Sequence, residues 1–404
     1  MKTIARRFLF VSAVILSGTT LCGNPKGAQV TNGQVTVTQA PGVMTISQAT
    51  AKGIIHWQDF SIGAGEVTQF IHPSANAATL NRVVGGIPST IQGALQANGQ
   101  VYLVNPNGIV VGPSGRINTA AFVASTLDVP DQQFLAGGDM LFSGNSLQGV
   151  VNFGSITATN GDVILMGHYV QNAGSINAPN GTAVLAAGDD ILLQAAGDER
   201  VVVNSGIPTG GTGVENSGSI QAARAELKAA GGNVYALAVN NTGIVKATGI
   251  AQMNGRVILS SNGGVVQNSG KISAKNANGS GGSVRMDSGR GGQTINNGSI
   301  DASADDPKQN GGTVELLGDN VQVGSNSIIN VSGANAGTVA IGVSAMIANQ
   351  TSSSGGIAAL TTTPPPSGTG TTAGATATNT ASPVSTAQQT VIQANSRILA
   401  NATN

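Results

Sequence analysis

Cysteine is nearly absent from this chain: Cys22 is the single one in 404 residues. That excludes a disulfide framework and any zinc site built on thiolates. Charge is also scarce, at 9% of residues, and 18 basic side chains balance 18 acidic ones. No basic patch stands out, so nucleic-acid binding has no electrostatic footing. The three histidines, His56, His72 and His168, fall at no metal-ligand spacing, and neither a metal nor a cofactor is expected. Long apolar runs are missing beyond the first residues, so no transmembrane span is expected. Aromatic residues make up 3%, with one tryptophan. Few aromatics and 58 glycines would suit a disordered chain, but a hydrophobic content of 40% is too high for one.

What is present begins with a leader. Lys2, Arg6 and Arg7 precede the apolar run Phe8–Leu16, which is too short to cross a bilayer, and Met1–Cys22 reads as a signal peptide. Thr20 and Cys22 are small enough for cleavage before Gly23. Lipidation of Cys22 is the alternative, although Leu21 is an ill-fitting neighbour for it. Removing the leader leaves 15 basic against 18 acidic residues, a net charge of −3.

The most informative stretch is Gly99–Val129. Val101 and Leu103, then Ile109 and Val111, alternate as strand faces, and Asn105-Pro106-Asn107-Gly108 between them is a tight turn. Gly112-Pro113-Ser114-Gly115 turns the chain again, and Ala124-Ser125-Thr126-Leu127-Asp128 follows. Upstream stand Trp57-x-x-Phe60 and Leu80-Asn81-Arg82-Val83. In this order the segments resemble the secretion domain of filamentous-haemagglutinin-type exoproteins of two-partner secretion systems. The closest flavour is that of high-molecular-weight adhesins and haem–haemopexin-binding exoproteins. The resemblance covers about residues 28–200. It implies that Asn105, Pro106, Asn107, Gly108 and Ile109 form the secretion motif, and that Trp57, Phe60, Asn81, Arg82, Val83, Ala124, Ser125 and Thr126 are signatures of the domain. It implies export through an outer-membrane transporter to the medium or cell surface. An N-P-N-L motif, carried by part of the filamentous haemagglutinin branch, is absent here, which favours the adhesin-like branch.

From residue 150 the phrase N-x-G-S-I-x-A recurs, opening at Asn152 and Asn172 and returning with drift at Asn216, Asn241, Asn268 and Asn296. Strands this short and this often turned describe a solenoid. Ile156 and Ala158 should face inward, Ser155 and Thr157 outward, and one coil buries its apolar face only by stacking on the next. The recurring glycines fit left-handed turn positions, and the recurring asparagines can stack into hydrogen-bonded ladders. The expected architecture is all-β: a right-handed parallel β-helix with an N-terminal cap over roughly Ala28–Phe70 and a disordered C-terminal tail. The divisions are a signal peptide over 1–22, a secretion domain over 23–200 and continuing repeats over 201–347. A Ser/Thr/Pro/Gly-rich linker follows over 348–385, then a short amphipathic segment over 386–404. Val391, Ile392, Ile398 and Leu399 in that last segment are compatible with a short helix, with disorder as the alternative.

Two roles are open to Asn105 and Asn107: bonding a tight turn between coils, or contacting the transporter. They are compatible, because a motif can act in export by shaping the first coils. Trp57 reads as cap core with Phe60 and Phe70 rather than as a binding platform. The leading function is an adhesin-like interaction protein, monomeric, whose partners are the transporter and a host-cell or glycan receptor. A haem- or iron-acquisition exoprotein, with its site in a loop such as Asp198–Gly213 or with His56 or His72 on the iron, is the second reading. A β-helix polysaccharide enzyme is the third. The chain is read as a non-enzyme, because Asp189-Asp190, Asp198-Glu199-Arg200 and Asp305-Asp306 sit beside Gly or Pro at turns and do not repeat at one position of successive coils.

Overall fold

Short apolar strands can satisfy both their side chains and their backbone by winding, and that is what this chain does. The computed structural model describes residues 23–342 and 387–402, apart from 196, 198, 205–212 and 232–236. The stretches read as signal peptide, with Cys22, and as linker, together with most of the Asp198–Gly213 loop, lie outside the described residues. The rest is a parallel β-helix with three strands per coil. One face is a ten-stranded sheet running from Ser89–Ile91 through Ile109–Val111 and Gly149–Asn152 to Gln389–Ile392. The other two faces belong to a 23-stranded sheet.

Register stacks like on like. Leu95, Ile117, Ile156, Ile176, Ile220, Val245, Ile272, Ile300, Ile329 and Ile398 pair in one unbroken row. Leu103, Ala124, Leu165, Leu185, Leu227, Leu259, Met286 and Leu316 make a second. Both rows lie in the continuous core inside the coils. Ile156 and Ala158 face inward as their alternation requires.

The recurring asparagines do form a ladder. The buried amides of Asn152, Asn172, Asn216, Asn241 and Asn268 each donate to the next asparagine at 2.7–2.8 Å, and the ladder ends on Asn296. The glycine two residues after each asparagine has a different reason from the expected one. None of Gly154, Gly174, Gly218, Gly243, Gly270 and Gly298 is among the positive-φ residues. Glycine is required there because successive coils touch at the corner: a Cβ on Gly218 would lie 2.1 Å from the carbonyl oxygen of Gly174. No side chain fits in that space.

At the N-terminus, Gln29–Asn32 runs antiparallel to Lys52–Trp57, and Val35–Ala40 antiparallel to Val43–Gln48. These strands cover the first edge of two faces. Near the other end the expected helix does not form. Gln389–Ile392 and Arg397–Leu399 are strands, paired in parallel with Asn320–Val323 and Ile328–Asn330. Ile398 continues the isoleucine row, so stacking wins over a helix too short to be stable alone. The residues after the linker therefore rejoin the solenoid instead of forming a tail.

A second core lies outside the coils. Met140–Ser143, Asp190–Leu193 and Val201–Val203 form a three-stranded antiparallel sheet, preceded by the one described helix, Asp131–Ala136. Phe134, Met140, Phe142, Ile191 and Leu193 pack on outward-facing Leu80, Tyr102, Val104, Val123 and Ile164. Gln100–Val104 is accordingly buried on both faces, where alternation of Val101 and Leu103 had suggested one.

Candidate functional site

The signature segments fall on neighbouring strands. Lys52–Trp57, Ala78–Val83, Gln100–Val104 and Ala121–Ser125 lie side by side in one face, with His56 beside Arg82, Arg82 beside Val104, and Val104 beside Ser125. Residues distant in sequence thus meet at the C-terminal ends of four strands, because each occupies the same place in its coil.

Asn105 follows the last of the Gln100–Val104 residues and is fully buried. Its backbone N–H donates to the Ser125 carbonyl at 2.9 Å, and its own carbonyl accepts from Gly108 N–H at 3.1 Å, closing the turn. Gly108, at φ +107°, takes a conformation that other residues resist. The Asn105 side chain is saturated. Oδ1 accepts from the backbone N–H and the Nδ2 of Asn107 at 2.9 and 3.1 Å, while Nδ2 donates to the Ile87 carbonyl and to Ser89 Oγ, both at 3.0 Å. Asn107 Nδ2 also donates to the Gly85 carbonyl at 2.9 Å. Two acceptor and two donor sites on one small planar group are what an amide offers and a carboxylate does not. Ile109 is buried in the row between Ser89 and Val150. Pro106 is exposed, and its carbonyl accepts from Ser146 Oγ at 2.5 Å.

Trp57 and Phe60 are buried edge to face at 5.5 Å, and Trp57 Nε1 donates to Asn81 Oδ1 at 3.0 Å. Trp57 is therefore core, and Asn81 is the polar group that accommodates its indole N–H. Val83 is buried beside Trp57. Arg82 points the other way. Its Nε lies 3.0 Å from Asp128, Nη1 2.7 Å from Asp131 and 3.0 Å from His56 Nε2, and Nη2 donates to the Val129 carbonyl at 2.9 Å. Burial works against its charge, but the hydrogen bond to Asp131 and the Asp128 carboxylate outweigh that and hold the guanidinium above its ordinary pKa. This clasp ties the segment that leads into the outer sheet to the coil. Ala124 and Ser125 are buried, and Ser125 Oγ bridges to both N–H and carbonyl of Leu127; Thr126 Oγ1 donates to the Gln148 carbonyl at 3.2 Å.

The remaining candidates are engaged in the fold. His56 Nε2 accepts from Arg82. His72 is buried, stacked on Phe70 at 5.8 Å, and bonded through Nε2 to Thr79 Oγ1 at 2.8 Å. Thr79 gives its hydroxyl hydrogen to Gln48 Oε1, so His72 must carry its proton on Nε2, and its buried Nδ1 has no partner. Burial lowers its pKa to about 4. Asp189 lies 3.5 Å from His168, Glu199 pairs with Lys228, and Asp305 with Lys275. Among the described residues, no three His, Cys, Asp or Glu side chains converge on one point. Ser89, Gly85 and Asp131, which complete the networks around the signatures with Asp128, were not singled out in the sequence; only the winding of the chain brings them there.

Comparison with known proteins places these observations. The model of the TPS secretion domain matches residues 23–274. A heme/hemopexin-binding protein of Haemophilus influenzae is 33% identical over 257 residues, and a second protein of that description from the same species is 45% identical over 86. These alignments take in 58% and 21% of this chain, but only 27% and 9% of the relatives' lengths. The chain thus spans about a quarter or less of the curated relatives it matches. The crystal structure of the HMW1 secretion domain from Haemophilus influenzae superposes with a TM-score of 0.66 at 24% identity, covering 94% of this chain and 84% of that one, which shows a shared fold.

Proposed function

The chain belongs to the TPS secretion-domain family of two-partner secretion exoproteins, and from that premise we propose that its first coils address it to a cognate TpsB-type outer-membrane transporter while the later coils make an adhesin-like interaction surface. Exoproteins of this family are secreted across the outer membrane. The observation that carries the proposal for the first coils is the Asn105 network, which spends the Asn105 amide and the Asn107 Nδ2 on shaping one corner. In this reading the motif acts through the form of that corner. Folding outside the cell supplies the pull: each coil that closes buries another apolar layer, which makes backsliding costly.

The test is release of the chain into the medium with and without the co-expressed transporter, comparing wild type with Asn105→Ala. Transporter-dependent release that the substitution lowers supports the proposal. Retention, or release indifferent to both, overturns it. For the later coils, the neutral Ser, Thr and Asn flanks suit contact with host glycans or cell surfaces, and purified chain should bind host cells saturably.

The names of the two curated relatives favour a second reading, haem or iron acquisition. His56 and His72 are poor iron ligands in this arrangement, because Arg82 occupies the lone pair of one and burial shields the other. Under this reading a titration of the purified chain with haem should give a saturable shift in haem absorbance, and pull-down should capture haemopexin.

A further inference from the structure

The N-P-N-G turn leans on the segment that follows Asn81-Arg82-Val83. Residues 84–89, reading Val-Gly-Gly-Ile-Pro-Ser, cross beneath the turn and are pinned at both ends: Val84 N–H donates to the Trp57 carbonyl at 2.8 Å, and Ser89 N–H to the Gly108 carbonyl at 3.0 Å. Between those pins the Gly85 carbonyl receives Asn107 Nδ2, while the Ile87 carbonyl and Ser89 Oγ receive Asn105 Nδ2. Gly85 also presses on the chain just after Trp57. A Cβ there would lie 1.9 Å from the Gln58 carbonyl oxygen, whereas one on Gly86 would meet nothing within 4 Å. Gln58 in turn donates its N–H to the Lys26 carbonyl.

We propose that Gly85, Ile87 and Ser89 form the positioning half of the secretion signature, with Gly85 as the joint that transmits the placement of the Trp57–Phe60 segment to the turn at Asn105–Gly108. This rests on the reading that the turn's shape governs export. The strap draws both asparagine amides inward and leaves Pro106 and Ile87 outward, the latter 52% exposed. The α-carbon that meets Gln58 and the carbonyl that receives Asn107 belong to the same residue, so a change that lifts Gly85 off Gln58 moves the acceptor of Asn107.

The experiment measures transporter-dependent release and thermal stability together in the full chain. Gly85→Ala is compared with Gly243→Ala, a clash of similar severity in a later coil, where a Cβ would lie 2.1 Å from the Gly218 carbonyl oxygen. Gly86→Ala is the local control. Gly85→Ala should lower release about tenfold, at a loss of melting temperature that Gly243→Ala matches while staying within about twofold of wild type. Adding Asn107→Ala to Gly85→Ala should lower release no further, as for residues acting in one network. If Gly85→Ala yields no folded protein, Ser89→Ala, which removes one acceptor of Asn105, is read against the same control. Release that falls in step with melting temperature at both glycines overturns the proposal, and so does normal release from Gly85→Ala. Release of wild type without the transporter overturns instead the reading beneath it.

Discussion

At Asn105 the amide makes four hydrogen bonds to three residues, all of them from a fully buried position. Asn105→Ala should therefore cost about 2 kcal/mol, since it strips partners from buried groups that water cannot reach. Asn105→Asp should cost more, because it buries a charge and sets a carboxylate oxygen against the Ile87 carbonyl. Urea denaturation of both variants checks the order. His72 makes a pH prediction. Its folded pKa of about 4 lies below the ordinary 6.5, because burial disfavours the imidazolium. The unfolded chain thus binds the proton more readily, so the stability contributed by neutral His72 is complete above pH 6.5 and is lost as pH falls toward 4. The loss is about 3 kcal/mol at pH 4. Replacing His72 by Gln removes the titrating group, so the pH-dependent part of stability between pH 7 and 4 should shrink by that amount relative to wild type. An unchanged profile would show that His72 does not titrate as described.

Between coils, the asparagine ladder and the corner glycines are one device. The glycine lets the chains approach until backbone meets backbone, and the asparagine two residues earlier fills the inside of that corner with a bonded amide. Asn241 has a ladder neighbour on both sides, Asn296 on one. Asn241→Ala should accordingly destabilise more than Asn296→Ala, by about 1 kcal/mol, in the same denaturation assay. Equal losses would mean that the ladder bonds contribute little. The outer sheet is a separate element with its own core. Phe142→Ala should cost about 3–5 kcal/mol, and hydrogen exchange should show the loss concentrated in 128–143 and 190–203, with the later coils still protected.

Across the whole molecule, stability is close to a sum of coils and the contacts between neighbours. Among the described residues, each strand of the last coil, Thr338–Ile341, Gln389–Ile392 and Arg397–Leu399, has a strand partner on one side only. Deleting residues 387–404 would uncover Asn320–Val323 and Ile328–Asn330 along their full length, and Val323 and Ile329 are now fully buried. We expect the truncated chain to form soluble aggregates visible by light scattering, because bare edges with apolar side chains pair with one another. A monodisperse truncated chain would show that the final coil is dispensable as a cover.

Much of this was legible in the sequence because a solenoid is a local code. The N-x-G-S-I-x-A phrase carries the inward isoleucine, the ladder asparagine and the corner glycine within seven residues, and every coil reads its neighbour at the same register. The turn at Asn105–Gly108 was legible for the same reason. What the residues alone left undecided depends on partners far along the chain. The corner glycines look like left-handed turn residues until the adjacent coil is in place, and only then is close approach seen to be their reason. Val391, Ile392, Ile398 and Leu399 suit a short helix in isolation, and become strands because an edge with matching row positions awaits them. Tyr102, Val104, Phe134 and Phe142 belong to a second core that forms only when 128–143 and 190–203 fold back onto the coil. Gly85 and Ser89 meet Asn107 and Asn105 solely through winding. The sequence by itself determined the repeating unit, since inward and outward positions follow from one strand's chemistry. The tertiary structure decided everything at the corners, the ends and the outer face, where a residue's role is set by backbone and side chains that arrive from another coil.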